Sequence, residues 1–419
     1  MARVRRAVIA GMIANGLAWY NFTLYGYFAP LIGKFFFPGH DKDAHLIAAY
    51  GVFAAGFLMR PAGAVVFGML GDRYGRKFSL AAAILIMAVS TALIGILPTY
   101  EAIGIAAPIL LTIIRLLQGV ALAGEYSGAM VFTVEHAPIH KRGFAGSFTV
   151  VSLCAGMLLG SLTAMVLSAT LNQQDFESWG WRIPFLLGLC SAFMALYIAY
   201  HTEETPHYEQ AKQESRLSGA PLSQVMKGHF VSLLRGIGIY FSVTVPFYTL
   251  TVYSTGFISH GLGLSLEKTY IINSISMVML VILLPLTAYL SDRYGRKLVL
   301  MRTTIAFFVT ALPIFWLMEH GGFFCALVAD LEFTVVTAFY ISSIPALLVE
   351  LFPTDVRYTG MALSYNVAAV LGGFAPMIEA WLVELTGSRL SVAVCIMLCA
   401  AISFVAFLGY RDHYKQQLR

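Results

Sequence analysis

Long apolar runs separated by short polar breaks dominate the chain, at 7–33, 45–70, 78–97, 105–134, 144–171, 183–201, 230–258, 268–290, 299–318, 322–349, 359–384 and 388–410. Each is close to the ~20 residues a helix needs to cross a bilayer. The pattern therefore predicts an all-α integral membrane fold with twelve transmembrane helices. The longest polar stretch, from His201 to Lys227, holds Glu203, Glu204, Lys212, Glu214, Arg216, Gly219 and Pro221 and follows the sixth run. It divides the chain into a six-helix bundle at 1–201, a linker at 202–229 that is either plain or carries an amphipathic segment, and a six-helix bundle at 230–419.

Two polar breaks are near copies. Gly71-Asp72-Arg73-Tyr74-Gly75-Arg76-Lys77 recurs as Ser291-Asp292-Arg293-Tyr294-Gly295-Arg296-Lys297, offset by 220 positions. Glu135, Pro138 and Arg142 after run four recur as Glu350, Pro353 and Arg357 after run ten, offset by 215. The two bundles are thus pseudo-repeats, and duplicated membrane bundles suit carriers whose halves rock about a site. The repeated loop is too short for catalysis, but its chemistry suits a gating latch. Gly75 and Gly295 permit a tight turn. Asp72 and Asp292 can sit against a neighbouring helix N-terminus. Arg76, Lys77 and Arg142 are expected to pair with Glu135. The latch set is Asp72, Arg73, Arg76, Glu135 and Arg142 with Asp292, Arg293, Arg296, Glu350 and Arg357.

Composition agrees with a membrane protein, since 58% of residues are hydrophobic and 12% charged, against roughly 25% charged in a soluble domain. With a cytoplasmic N-terminus, Arg3, Arg5, Arg6, Arg73, Arg76, Lys77, Lys141, Arg142, Lys212, Arg216, Lys227, Arg293, Arg296, Lys297, Arg302, Arg357, Arg411, Lys415 and Arg419 lie on the cytoplasmic side. Only Lys34, Lys42, Arg182, Lys268 and Arg389 lie opposite. This positive-inside bias puts both termini in the cytoplasm and accounts for the net charge without nucleic acid. The basic start reads as a retained first helix rather than a cleaved signal. Cys154, Cys190, Cys325, Cys395 and Cys399 fall inside the runs and read as packing residues.

The repeated loop, as Gly68-x-x-x-Asp72-Arg73-x-Gly75-Arg76-Lys77, and Arg115-x-x-Gln118-Gly119 in run four resemble the signatures of the major facilitator superfamily. Ala288 replaces the expected glycine of the second copy. Four passages narrow the resemblance to the metabolite:proton symporter group, which includes carriers for proline/betaine, citrate, 2-oxoglutarate and shikimate. They are Asn15-Gly16-Leu17-Ala18-Trp19-Tyr20-Asn21-Phe22, Arg60-Pro61-Ala62-Gly63-Ala64, Gln118 to Tyr126, and Trp179-Gly180-Trp181-Arg182-Ile183-Pro184-Phe185. That resemblance implies proton-coupled transport by a multi-pass protein of a bacterial-type inner membrane. The group usually carries two acids at the positions of Ala18 and Asn21, and this chain has neither.

Charge inside a bilayer is costly and marks function by default. Arg60 and Arg115 make the first bundle net positive, with Glu125 as the nearby acid. Either arginine can clamp a carboxylate, or Arg60 can bond backbone carbonyls or pair with Glu125 as a packing tie. Gln118, Asn15, Trp19, Asn21, Tyr25, Tyr248 and Asn366 complete the candidate substrate wall. The aromatics of run one alternatively cage a quaternary ammonium. Asp330, Glu332 and Glu379 are, with Glu125, the candidate proton carriers. Asp330 and Glu332, two apart, point different ways, and near the outer mouth either would be solvated or paired with Arg389.

His40, Asp41, Asp43 and His45 form a solvated cluster that is not read as a metal site. No phosphate-binding loop or nucleophile–base set stands out, so the chain reads as a non-enzyme without cofactor. The expected function is secondary active import of a small organic anion, of di- or tricarboxylate class, with protons as co-substrate. The alternatives are a proline/betaine-type zwitterion symporter, a proton-independent uniporter or exchanger, and a sensor built on the carrier fold. The bilayer is the expected partner and a monomer the default state.

Overall fold

In the computed structural model the described residues are 2–37, 42–254, 257–258 and 264–418, and among them every regular element is a helix. The first half supplies α1 (Ala2–Tyr27), α2 (Lys42–Leu58), α3 (Arg60–Tyr74), α4 (Arg76–Ile96), α5 (Ala106–His136), α6 (Arg142–Thr170) and α7 (Ser191–His201). The linker forms α8 (Pro206–Gln213) and α9 (Pro221–Gly228). There follow α10 (Phe230–Tyr248), α11 (Leu266–Tyr294), α12 (Arg296–His320), α13 (Phe323–Ile341), α14 (Ile344–Glu350), α15 (Arg357–Gly373), α16 (Ala375–Thr386) and α17 (Ser391–Leu408).

Eleven stretches among the described residues are long and apolar enough to cross a bilayer, and α1, with 26 residues, covers the first expected run as far as Tyr27, after which Ala29–Phe36 forms a separate short helix. Four expected runs are interrupted where a proline enters the first turn of a new helix: at Phe28 before Pro30, at Met59 before Pro61, at Ser343 before Pro345 and at Phe374 before Pro376. Proline has no N–H to give to the preceding turn, so the helix restarts there. Large apolar side chains such as Phe193 and Phe324 stand more than 70% exposed. That arrangement is stable against lipid and not against water.

Contacts group the chain into two compact units. One comprises Met1–His136, Ser152–Gln224 and Thr354–Leu363; the other comprises Ala137–Val151, Val225–Pro353 and Ser364–Arg419. The division cuts through three helices, α6, α9 and α15. The first turns of α6 belong to the second unit, and those of α15 belong to the first.

Within the first unit α5 is the central post. A Cβ placed on Gly119 would stand 1.9 Å from the carbonyl oxygen of Gly56, so α2 and α5 meet backbone to backbone. Small residues allow that approach, and dispersion over the close contact holds the pair together in lipid. At one end of this unit Trp181 is fully buried among Phe28, Phe36 and Phe185. Beside it Arg182 donates to the carbonyls of Gly95 and Leu97, both at 2.8 Å, where α4 ends. The sequence from Trp179 to Phe185 therefore closes the end of α4.

Candidate functional site

Arg115 and Gln118 lie one turn apart on α5, and both are fully buried. Arg115 Nη1 donates to Gln118 Oε1 at 2.6 Å and to the Phe22 carbonyl at 3.3 Å, and Gln118 Nε2 donates to Thr91 Oγ1 at 2.8 Å. The guanidinium stands over three rings, with centroids at 4.4 Å for Phe22, 4.4 Å for Tyr25 and 5.0 Å for Phe53. Its Nε and Nη2 have no hydrogen-bond partner, and neither has the buried Tyr25 hydroxyl. This is a cation in an aromatic box with two N–H-bearing atoms to spare, the donor set that grips one carboxylate.

Arg60 is likewise buried, over Phe57 at 5.6 Å and Trp19 at 6.0 Å. The first-helix aromatics thus surround the protein's own guanidinium groups. Asn15 donates to Ser152 Oγ at 2.9 Å and Asn21 to Ser191 Oγ at 3.0 Å, which ties α1 to α6 and α7.

Glu125, also on α5, is fully buried, and both carboxyl oxygens lack a hydrogen-bond partner. The alternative packing tie from Arg60 would engage one of these two oxygens, and neither accepts a hydrogen bond. An acid so placed is stable only while it holds its proton, because an unpaired charge in a dry interior costs several kcal/mol.

In the second unit Asp330 on α13 is fully buried and accepts from Ser254 Oγ at 2.7 Å and Ser276 Oγ at 2.5 Å. Glu332 is exposed. The placement of Asp330 near a solvated mouth, or on Arg389, is therefore corrected: two serines hold it inside, and the Arg389 guanidinium lies over Phe257. Glu379 on α16 is fully buried and accepts from Thr249 Oγ1 at 2.5 Å, while its Oε2 has no partner. Thr249 opens, and Ser254 follows, one wide π-type turn that extends α10. Tyr248 ends α10 beside Phe247, and Asn366 is buried on α15.

The repeated loops build two charge clusters, one in each unit. In the first, Asp72 accepts from Arg76 Nη1 at 2.8 Å and from the backbone N–H groups of Tyr358 at 3.1 Å and Thr359 at 2.9 Å. Its carboxylate caps the N-terminus of α15, where the helix dipole favours negative charge. Arg76 also donates to the Gly71 carbonyl at 2.6 Å and the Thr354 carbonyl at 2.5 Å. Glu135 takes Arg357 Nη1 at 2.6 Å and Arg76 Nε at 3.6 Å.

In the second cluster Asp292 takes Arg296 Nη1 at 2.7 Å and the N–H groups of Gly143 at 2.8 Å and Phe144 at 2.7 Å, so it caps α6. Glu350 meets Arg296 at 3.3 Å and Arg142 at 3.9 Å. The expected pairing of Arg142 with Glu135 is thus corrected. Arg142 belongs with Glu350 and Arg357 with Glu135, because the first turns of α6 and α15 are exchanged between the units. Arg73 and Arg293 are exposed and enter no ion pair among the described residues. Arg73 donates to the Gly219 carbonyl and Arg293 lies over Tyr294 at 5.5 Å, so neither belongs to a cluster.

Both loops turn at their glycine. Gly75 has φ 112° and Gly295 φ 104°, values that side chains resist. The next helix starts at once, and its first N–H groups need acceptors. Lys77 N–H donates to the Glu204 carboxylate at 3.2 Å, and Lys297 N–H to Asp412 at 2.8 Å. Burial pushes the Glu204 carboxyl up, while the Thr205 and Lys77 N–H groups pull it back. Glu204 and Asp412 were not singled out from sequence. Their signal was present, because each is among the first acids after the sixth and twelfth runs. His40 and Asp41, and the side chains of Asp43 and His45, lie outside the described residues.

A family description reading "Sugar (and other) transporter" matches residues 7–232, and one reading "Major Facilitator Superfamily" matches 237–419. The chain is 34% identical to a proline/betaine transporter of Salmonella typhimurium, over all of this chain and 85% of that one. It is 35% identical to a glycine betaine/proline/ectoine/pipecolic acid transporter of Dickeya dadantii, with the same coverage. It is 33% identical to a shikimate transporter of Escherichia coli, over 99% of this chain and 96% of that one. A solved structure of the proton:xylose symporter XylE bound to 6-bromo-6-deoxy-D-glucose aligns with TM-score 0.81 at 17% identity, over 100% and 98% of the two chains.

Proposed function

Because this chain belongs to the major facilitator superfamily, we propose that it is a secondary carrier of a small zwitterion of the proline/betaine class, driven by protons across a bacterial inner membrane. The observation that carries this reading is Arg115, one buried guanidinium with two unpartnered nitrogens in an aromatic box. It matches one carboxylate, with apolar rings for the hydrocarbon body of the substrate. The full-length relatives that transport proline and betaine support the same class.

The di- or tricarboxylate reading loses ground on charge balance. It rested on a positive first bundle, yet buried Glu125, Asp330 and Glu379 lack a basic partner among the described ion pairs. A polyanion would meet uncompensated acids whenever these groups ionise, whereas a zwitterion adds no net charge. Arg115 takes the substrate carboxylate. Glu125 takes the coupling proton that the missing acids at Ala18 and Asn21 cannot, with Asp330 and Glu379 as the other neutralisable groups. The two loop clusters hold the cytoplasmic gate closed in one state of the cycle and part in the other.

Uptake of labelled proline, glycine betaine, shikimate, succinate, 2-oxoglutarate and citrate into proteoliposomes tests this reading. Saturable uptake of proline or betaine, undiminished by excess citrate, is expected. Uptake confined to the carboxylic acids would replace the zwitterion by an anion.

A further inference from the structure

We propose that Tyr358 reports the protonation state of Glu125 to the first loop cluster, as a positioning residue that never touches substrate. The proposal rests on the proton-carrying role of Glu125 given above. Its physical parts lie together in the first unit. The Tyr358 hydroxyl donates to the carbonyl of Gly124 at 2.7 Å, one residue from the bare carboxyl of Glu125. The Tyr358 backbone N–H is one of the two that Asp72 holds, and the Thr359 N–H is the other. One residue therefore touches the acid's own turn of α5 with its side chain and the cluster with its main chain.

The ring has no freedom to absorb a movement of its hydroxyl. A Cβ placed on Gly71 would stand 1.8 Å from Tyr358 Cδ1, and one placed on Gly128 would stand 2.4 Å from the hydroxyl oxygen. The ring thus lies in a slot between two bare backbones, on α3 and α5. While Glu125 is neutral, the amide carbonyl of Gly124 keeps the hydroxyl. An ionised carboxylate is the stronger acceptor and competes for the same O–H. Transfer of that hydrogen bond tilts a ring wedged in its slot, and the first turn of α15 moves with it relative to Asp72.

Other charges on the surrounding elements are already engaged. Asp72 on α3 pairs with Arg76 on α4, Arg357 on α15 pairs with Glu135, and Arg60 lies over Trp19 and Phe57. The device occurs once. The repeat offsets of 215 and 220 put Gly143 at the place of Tyr358, Tyr340 at that of Glu125, and Ser291 and Ser343 at those of Gly71 and Gly128. The second unit accordingly has neither the acid, the ring nor the slot.

Hydrogen exchange of the Tyr358 and Thr359 amides in the purified full chain, in alkaline buffer without substrate, tests the link. Glu125→Gln is expected to slow their exchange about tenfold, the size of one hydrogen bond to a charged group. In a Tyr358→Phe background, which keeps the ring and removes only the hydroxyl, the same change is expected to alter exchange by less than about twofold. Glu125→Ala, also neutral, is expected to reproduce the slowing. An equal effect of Glu125→Gln in both backgrounds, or none in either, would overturn the proposal, as would opposite effects of the alanine and glutamine variants. The readout needs no transport, so its failure would leave the carrier reading standing. A wild-type chain that moves no proline or betaine would sink that reading without touching the exchange result.

Discussion

Replacing Arg115 with alanine is expected to abolish zwitterion uptake, with kcat/KM falling about 100-fold or more, the usual loss when one partner of a buried charge pair is removed. Arg115→Lys should recover little. An ammonium on a flexible stem cannot present the planar pair of N–H donors that Nε and Nη2 offer together. The rings of Phe22, Tyr25 and Phe53 form an apolar lining that tolerates loss of the cation, so Arg115→Met is the control for folding. It should unfold at nearly the wild-type temperature and still fail to transport. Gln118→Ala removes only the neutral group that orients Arg115 and should cost far less. If Arg115→Met transports normally, the guanidinium is a packing element and the carboxylate is held elsewhere.

The largest effect on stability is expected at Glu135. Glu135→Gln removes the carboxylate shared by Arg357 at 2.6 Å and Arg76 at 3.6 Å, and all three groups are buried. Breaking a buried pair from one side leaves charge without compensation and costs about 3–5 kcal/mol. Arg76 keeps Asp72 and two carbonyls, so the loss falls mainly on Arg357. The corresponding change Glu350→Gln should cost less, since Glu350 meets Arg296 at 3.3 Å and Arg142 at 3.9 Å. Thermal unfolding of the two variants in the same detergent checks the order. Equal losses would mean that the two clusters are energetically equivalent despite their geometry.

The fold was legible because two strong signals coincide. Apolar runs of bilayer length give the helices, and the copies around Asp72 and Asp292 give the duplication. The acid-on-helix contacts of the loops were also legible, since a carboxylate beside a glycine turn has few other uses. Which helix each acid would cap was not. The pairing of Arg142 with Glu350 depends on two helices exchanging their first turns, a tertiary fact that no local pattern encodes. The same limit separated Asp330 from Glu332. Helical spacing shows that they diverge, and only packing shows that Ser254 and Ser276 take the first. The preference for an anion gives way to the proposed zwitterion for a related reason. The arginines of the first bundle stood out, while the lack of a basic partner for Glu125, Asp330 and Glu379 among the ion pairs of the described residues became visible only in three dimensions.

In the proposed cycle, proton binding at Glu125 drives accumulation of the zwitterion. Glu125→Gln, permanently neutral, is expected to exchange labelled proline or betaine across proteoliposomes loaded with unlabelled substrate at near the wild-type rate. It should fail to concentrate substrate under an inward proton gradient that drives wild-type uptake. Exchange without gradient-driven accumulation would place coupling at this carboxyl. Accumulation by Glu125→Gln equal to that of the wild type would rule out Glu125 as the coupling acid and move the proton site to Asp330 or Glu379.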